Sequence, residues 1–238
     1  MNFKIYFRSV AMLGLLSLGL PLARASLLTY TNWADFNAAI MGGYQPLQST
    51  NFESQAAGTV ISSGTTVEGT TFTYNLAGAF QLQVGSTFAT TSGANYLGTT
   101  GDGAFLSGDQ FTMTFAQPVQ AVGLFVIGAG NNFAGDYTLS VAQGGVSNSF
   151  NTDSTFGTLA DGGTVYFLGL IETDPGQSFA SAVLSSVSEG GFPFNVDDIV
   201  TSAGAGSGEP RTVPDESSTF VLLLGVAVGL LALRRRWS

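Results

Sequence analysis

The segment FTMTFAQPVQAVGLFVI, residues 111–127, decides the fold class of this 238-residue chain. Residues 111–115 alternate apolar and polar side chains, which predicts a half-buried β-strand that ends at Pro118. Residues 119–127 are apolar on both faces, as expected of a strand in the centre of a sheet. The two patterns together favour an all-β architecture.

Further strand patterns extend this prediction over residues 26–202, which are rich in Gly, Ser and Thr. Turn signals recur every ~8–15 residues, a spacing typical of β-sandwiches. One short helix is expected near the start, with Asn32 as N-cap, Asp35 in the first turn and Gly42-Gly43 at its end. We therefore predict a β-sandwich ectodomain with one N-terminal helix. The remaining predicted strands are 137–141, followed by a hairpin at Gly144-Gly145, then 164–171, 179–187 and 192–200.

Charge is distributed very unevenly along the chain. The sequence has seven Lys and Arg, 16 Asp and Glu, and no His or Cys. Between Arg24 and Arg211 there are 14 carboxylates and not one basic residue. This excludes nucleic-acid binding by the middle of the chain, because phosphates need cations. Disulfides and Cys- or His-based metal and nucleophile chemistry are excluded as well.

Residues 1–25 have the layout of a secretory signal peptide. Lys4 and Arg8 form a positive start, and an apolar run follows over residues 10–20. Ala23 and Ala25 form a small-x-small cleavage site that places Ser26 at the mature N-terminus. An uncleaved membrane anchor is the alternative, although the apolar run is short for a hydrocarbon layer of about 30 Å.

Residues 213–238 form a tail of three parts, which a Gly-rich flexible linker at 203–212 joins to the ectodomain. A polar motif begins with Val213, Pro214 and Asp215, and an apolar segment follows over residues 220–233. As a helix, that segment is about 21 Å long, which is short for a permanent span. A basic stop closes the tail and favours the cytoplasmic side: Arg234, Arg235 and Arg236. The layout indicates a sorting tail, with an ordinary single-pass anchor as the alternative.

This tail resembles the PEP-CTERM sorting domain, and more closely its VPDSG variant. Val213-Pro214-Asp215 matches the start of the variant, whereas Glu216-Ser217 stands where the variant has Ser-Gly. The resemblance implies that an exosortase, a membrane cysteine protease of exopolysaccharide-producing Gram-negative bacteria, recognises the tail. It also implies export, temporary anchoring in the inner membrane through the C-terminal helix, and later display at the cell surface or release.

The ectodomain resembles the jelly-roll domains often found upstream of such tails. The resemblance rests on an early Trp33-x-x-Phe36 helix, an Asn51-Phe52-Glu53 strand and a Gly-Leu-Phe-Val centre at 123–126. A late strand, Phe-Asn-Val-Asp-Asp-Ile at 194–199, has counterparts in carbohydrate-binding jelly rolls. The resemblance implies a jelly-roll sandwich.

Asp197 and Asp198, between Val196 and Ile199, are the most suggestive constellation in the sequence. Regular alternation along the strand predicts that Asp198 points into the core with Val196 and that Asp197 points outward. A buried carboxylate needs a partner. No basic residue is near in sequence, so either a structural Ca²⁺ or backbone N–H groups must stabilise it. Glu53 is a candidate second ligand, because the first and last strands of such sandwiches are often neighbours.

Other candidate residues carry less specific signals. Asp102 lies between Gly101 and Gly103, Asp161 precedes Gly162-Gly163, and both are predicted to be turn residues. Exposed aromatic side chains could stack on sugars, and the candidates are Tyr44, Tyr74, Tyr96 and Phe133. We predict an exported, non-enzymatic protein of the envelope or exopolysaccharide matrix. The alternatives are a secreted carbohydrate-binding module and an extracellular glycoside hydrolase, which requires two acids in one cleft.

Overall fold

The computed structural model describes residues 27–44, 46–129, 135–143, 146–151, 155–187 and 191–204. No helix in these ranges is long and apolar enough to cross a membrane. Several predictions lie outside the described residues and stay predictions: the signal peptide with Ala23, Ala25 and Ser26, the motif Val213, Pro214 and Asp215, the C-terminal helix, and the basic stop Arg234, Arg235 and Arg236.

Two antiparallel sheets and one short helix form the described part of the chain, which confirms the predicted β-sandwich. The elements are β1 (Leu27–Tyr30), α1 (Trp33–Met41), β2 (Gln48–Thr50), β3 (Val60–Ile61), β4 (Thr65–Val67), β5 (Thr70–Asn75), β6 (Leu82–Gly85), β7 (Tyr96–Thr99), β8 (Phe105–Leu106), β9 (Gln110–Val119), β10 (Ala121–Gly128), β11 (Tyr137–Gln143), β12 (Val146–Asn151), β13 (Gly157–Thr158), β14 (Thr164–Glu172), β15 (Phe179–Ser186) and β16 (Pro193–Ser202).

The larger sheet has ten strands, ordered β1-β14-β10-β16-β7-β6-β3, with β13 beside β14 and with β2 and β8 beside β16. The smaller sheet has six, ordered β12-β11-β15-β9-β5-β4. Apart from the hairpin of β11 and β12 and the short β13, successive strands from β9 to β16 alternate between the two sheets. The jelly-roll description implied by the resemblance goes beyond the two-sheet sandwich and stays a prediction.

β10 is the central strand that the sequence predicts. All eight of its residues are buried, and it pairs with β14 on one side and β16 on the other. The predicted end of the preceding strand at Pro118 is wrong, because β9 continues to Val119. Proline has no N–H to donate, and the pairing of β9 with β15 is interrupted between Thr114 and Val119 rather than ended.

The larger sheet is buried on both faces, and each face has its own apolar cluster. The inner cluster lies between the two sheets and includes Leu124, Phe194 and Val196. The outer cluster lies under α1 and includes Phe36 and Phe125. The strands of this sheet are therefore apolar over long stretches, whereas β9 of the smaller sheet alternates buried and more exposed residues along much of its length.

Helix α1 begins as predicted. The side chain of Asn32 accepts from the N–H groups of Ala34 (2.8 Å) and Asp35 (3.3 Å), and Gly42 is the C-cap. Its apolar face packs on the larger sheet, where Gly169 makes room for Phe36. A Cβ at position 169 would lie 2.6 Å from the Phe36 ring, so a side chain there would force the helix away from the sheet.

The predicted Asn51-Phe52-Glu53 strand is wrong. β2 ends at Thr50, and Phe52 has a φ of 62°, which no extended strand allows. An early strand nevertheless lies beside the last one, as expected, because β2 pairs with β16, with Thr50 opposite Ile199. Glu53 therefore lies in a turn beside the last strand rather than on a strand.

Candidate functional site

A β-bulge in β16 sets the direction of both aspartates of the Asp197-Asp198 pair. Asp197 lies opposite Phe125 and Val200 lies opposite Gly123, so two residues of β16 face Leu124 alone. The extra residue is Asp198, whose φ is 45°. The bulge shifts the alternation by one residue, and Ile199 takes the core position instead. The prediction that Asp198 points into the core is therefore wrong.

Asp197 does point to the outer face, as predicted, but it is completely buried there. The β6–β7 loop, residues 86–95, covers it. Oδ2 of Asp197 accepts from Thr91 N (2.8 Å), Thr91 Oγ1 (2.6 Å) and Ser92 N (3.1 Å), while Oδ1 accepts from Asp198 N (2.9 Å). Burial, together with the neighbouring charge of Asp198, raises the pKa of Asp197 to about 6 against the opposing effect of these hydrogen bonds.

Asp198 and Glu53 bind the same loop on either side of Gly93. The hydroxyl of Ser92 donates to Oδ1 of Asp198 (2.7 Å). Oε1 of Glu53 accepts from Ala94 N (2.8 Å) and Asn95 N (2.6 Å). Glu53 and the aspartate pair thus contact one loop from its two sides, and the loop is what joins them.

Asp161 holds the same loop at its other end. It is a turn residue, as predicted, and its Oδ1 accepts from Gly163 N (3.0 Å). Its Oδ2 accepts from Ala89 N (2.8 Å) across 72 positions of sequence. These two backbone N–H groups lower the pKa of Asp161. Asp102 is a turn residue as well, with a φ of 56°.

Four carboxylates therefore clamp one ten-residue loop through backbone N–H and hydroxyl donors: Glu53, Asp161, Asp197 and Asp198. From the sequence, either a Ca²⁺ ion or backbone N–H groups could stabilise the aspartate pair. The loop supplies such N–H groups. Within the described ranges, no group of three or more His, Cys, Asp or Glu residues could hold a metal ion. A Ca²⁺ ion at Asp197, Asp198 and Glu53 stays a prediction.

The clamped loop contributes Phe88 to the lining of a cleft of about 440 Å³ at one end of the larger sheet. Its apolar lining includes Phe88 from the loop, Ile127 from β10 and Phe194 from β16. Asp161 and Asn195 are its polar side chains. With the amide turned so that its nitrogen faces acceptors, Asn195 donates to the carbonyl of Gly103 (3.0 Å). Pockets of this size with an apolar lining and few polar groups are typical ligand sites.

Phe88 is the most distinctive side chain of the cleft. It is 41% exposed, and its ring packs on buried Tyr96 with 5.8 Å between ring centroids. A second half-exposed ring, Phe80, lies against Gly101, where a Cβ would come within 2.4 Å of it. A Cβ at Gly103 would lie 3.8 Å from Phe88, so the two rings flank one short turn.

The aromatic residues proposed from the sequence are not the ones that the cleft uses. Tyr96 is buried beneath Phe88, Tyr44 is half-buried and donates to the carbonyl of Glu172 (2.9 Å), and Tyr74 packs partly against the inner core. Phe133 lies outside the described residues. Phe88 and Phe80 stand in Gly-, Ser- and Thr-rich stretches without periodicity, so no local sequence signal could single them out.

Comparison with known proteins gives a limited result. No family model matches the chain, and no curated protein matches it. Similar solved structures include the K2 cleaved adhesin domain of Lys-gingipain, which is 13% identical with a TM-score of 0.41 and covers 66% of this chain and 99% of that chain. The CBM22-1 xylan-binding domain from Paenibacillus barcinonensis is 16% identical with a TM-score of 0.34, covering 63% and 97%.

A third similar structure is the catalytic domain of a GH87 alpha-1,3-glucanase. It is 18% identical with a TM-score of 0.33, and the match covers 73% of this chain and 30% of that chain. All three TM-scores lie below 0.5, so these likenesses carry no argument about ligand or activity.

Proposed function

We propose that the ectodomain is a carbohydrate-binding β-sandwich without enzymatic activity, and that its ligand binds in the cleft beside Phe88. The observation that carries this proposal is the half-exposed Phe88 ring, which is fixed on Tyr96 by a loop that four carboxylates clamp. An exposed phenyl ring on an ordered backbone binds with little loss of conformational entropy. It is a pre-organised apolar platform.

Sugar chemistry fits this platform. One face of a pyranose ring presents C–H groups, which pack on an aromatic face, while its hydroxyls need hydrogen-bond partners at the edge. The cleft offers the carboxylate of Asp161 and the backbone of residues 128–129 and 162–163, which carry only hydrogen or methyl side chains. Small side chains leave these peptide groups accessible to a ligand.

The carboxylates around the cleft favour binding over hydrolysis. A glycoside hydrolase of the usual kind needs two carboxyl groups across the scissile bond. Among the described residues that line the cleft, Asp161 is the only carboxylate, and both of its oxygens accept backbone N–H bonds. This supports a role without catalysis.

Binding to an array of glycans, followed by affinity measurements on two phenylalanine variants, tests the proposal. Phe88→Ala should weaken binding about tenfold or more, because the stacking platform is lost. The matched control is Phe156→Ala, since Phe156 is 49% exposed and packs on Phe125 outside the cleft lining. Equal affinities for the wild type and Phe88→Ala would refute this site.

We further propose that the protein is exported and sorted by an exosortase to the envelope or exopolysaccharide matrix. This proposal is supported by the tail sequence alone: the Val213-Pro214-Asp215 motif, the apolar residues 220–233 and the three arginines at 234–236. Such a sorting signal would bring a polysaccharide-binding protein to the matrix in which its ligand occurs.

Fractionation of a tagged chain in hosts with and without the exosortase tests the sorting proposal. We expect release or transfer to the surface only in the host that has the enzyme. Pro214→Ala should reduce processing without changing the melting temperature, because the motif lies outside the sandwich. Equal amounts of full-length, membrane-bound protein in both hosts would show a plain anchor instead.

A further inference from the structure

We propose that the polysaccharide bound in this cleft is uncharged, and that the cleft selects against polymers that carry carboxylate, sulfate or phosphate groups. This inference rests on the proposed carbohydrate-binding function and specifies the class of ligand. It is carried by the distribution of charge around the cleft.

The described residues contain no cationic side chain that could pair with an acidic polymer. Neither Lys, Arg nor His occurs between Arg24 and Arg211, so every charged side chain of the described residues is a carboxylate. Proteins that recognise acidic groups use Arg or Lys in charge-assisted hydrogen bonds. This sandwich has no such residue at the cleft or on any other described surface.

One carboxylate lines the cleft, and a second is exposed on a turn that leads to it. Asp161 lines it, and the N–H groups of Ala89 and Gly163 hold its carboxylate in place at 2.8 and 3.0 Å. Asp102 is exposed on the turn that leads to Ala104, another lining residue. Because backbone N–H groups lower the pKa of Asp161, it is ionised near neutral pH. Acidic groups on a bound polymer would therefore meet like charges.

The same groups suit an uncharged polymer. Sugar hydroxyls are hydrogen-bond donors, and ionised carboxylates and backbone carbonyls are acceptors. A carboxylate whose N–H partners fix its orientation still has lone pairs free for such donors. The apolar part of the lining, with Phe88 at its edge, can pack against the C–H face of a sugar without any charged group.

The test compares neutral polymers with charged derivatives of the same backbone. The full-length chain, solubilised in mild detergent, is run in native gels that contain dextran, galactomannan or hydroxyethyl cellulose, and in gels with the carboxymethyl derivative of each polymer. We expect retardation by at least one neutral polymer. Its carboxymethyl derivative should bind about tenfold more weakly at low ionic strength, and this difference in affinity should become smaller at high salt.

Single charge-neutralising variants locate the repulsion. Asp161→Asn and Asp102→Asn should each reduce the difference in affinity between the neutral polymer and its carboxymethyl derivative. Asp102→Asn also preserves the fold, because asparagine tolerates the left-handed backbone that position 102 requires. The control Asp35→Asn removes one charge from the first turn of α1 and should leave this difference in affinity unchanged.

The outcomes separate this inference from the function on which it rests. Equal or tighter binding of the carboxymethyl derivative overturns the inference and leaves carbohydrate binding intact. Binding of that derivative only with calcium, and not with chelator, overturns it in favour of a bridging cation. Absence of binding to every polymer, neutral and charged, overturns the proposed function together with the inference.

Discussion

Asp197 places an ionisable group in a fully buried position with no cation near it. Four donors contact its carboxylate, yet burial outweighs them and raises its pKa from 3.8 to about 6. The protonated form is therefore favoured in the folded protein relative to the unfolded chain. The side chain holds the β6–β7 loop, and it does so at a cost in stability near neutral pH.

The pH dependence of stability should show this cost directly. Because the folded pKa lies above the unfolded value, the contribution of Asp197 to stability is greatest below about pH 4 and is lost as the pH rises through about 6. The unfolding free energy of the wild type, relative to that of Asp197→Asn, should thus fall by roughly 3 kcal/mol as the pH rises from about 4 to above 6. Denaturant titrations at several pH values measure it. A difference that grows with pH would mean that the hydrogen bonds outweigh burial.

The β6–β7 loop is held by hydrogen bonds to carboxylates outside the loop as well as by one within it, from the Thr90 hydroxyl to the carbonyl of Gly93. Gly93 illustrates how closely its partners approach: its φ is 56°, and a Cβ there would lie 2.3 Å from the carboxylate of Glu53. Glu53, Asp161 and Asp197 come from three separate parts of the chain. We infer that Phe88 is held at the cleft only while these long-range contacts persist.

Amide hydrogen exchange measures the contribution of Glu53 to this order. Glu53→Ala removes the acceptor of Ala94 N and Asn95 N, so exchange at both amides should accelerate roughly 10- to 100-fold, as expected for hydrogen bonds to a charged acceptor. The matched control is Glu68→Ala, because Glu68 accepts from Asn51 N and from the Ser54 hydroxyl, and both partners lie outside the loop. Unchanged exchange at position 94 in Glu53→Ala would show that the loop is ordered by other means.

Local patterns predict some elements and fail on others for physical reasons. The cap at Asn32 and the two-sided burial of β10 follow from short-range rules and are confirmed. The strands from β3 to β8 are two to six residues long, too short for a period to be recognised among Gly, Ser and Thr. Asp198 has a left-handed backbone at a bulge, and its side chain binds a loop about a hundred residues away, so alternation alone gives the wrong direction for that side chain.

The whole domain is stabilised without a salt bridge between side chains, since the described residues include no basic side chain. Apolar clusters on both faces of the larger sheet supply burial, and carboxylates accept backbone N–H bonds where other proteins use Lys or Arg. A domain built in this way is strongly acidic throughout. Like-charge repulsion is expected to disfavour its association with other polyanions, in line with the proposed uncharged ligand.

A calcium site at Asp198 makes a separate prediction for the stability of the domain. Binding to the native state raises its stability by about 2.7 kcal/mol at 100-fold saturation. Millimolar calcium should therefore raise the melting temperature of the wild type above its value in chelator, and the rise should be absent in Asp198→Ala. If the wild type and the variant melt alike in calcium and in chelator, the backbone and hydroxyl donors described above are the sole partners of these carboxylates.

The most direct test of the central claim is to map a bound oligosaccharide by amide chemical shifts. A neutral glycan that binds the protein is titrated into isotopically labelled protein, and the backbone signals are followed. If the cleft beside Phe88 is the binding site, the largest shifts will occur at Phe88, Ala129 and Gly163, with smaller ones along the clamped loop. Shifts confined to α1 or to the smaller sheet, with those three signals unmoved, would contradict the account.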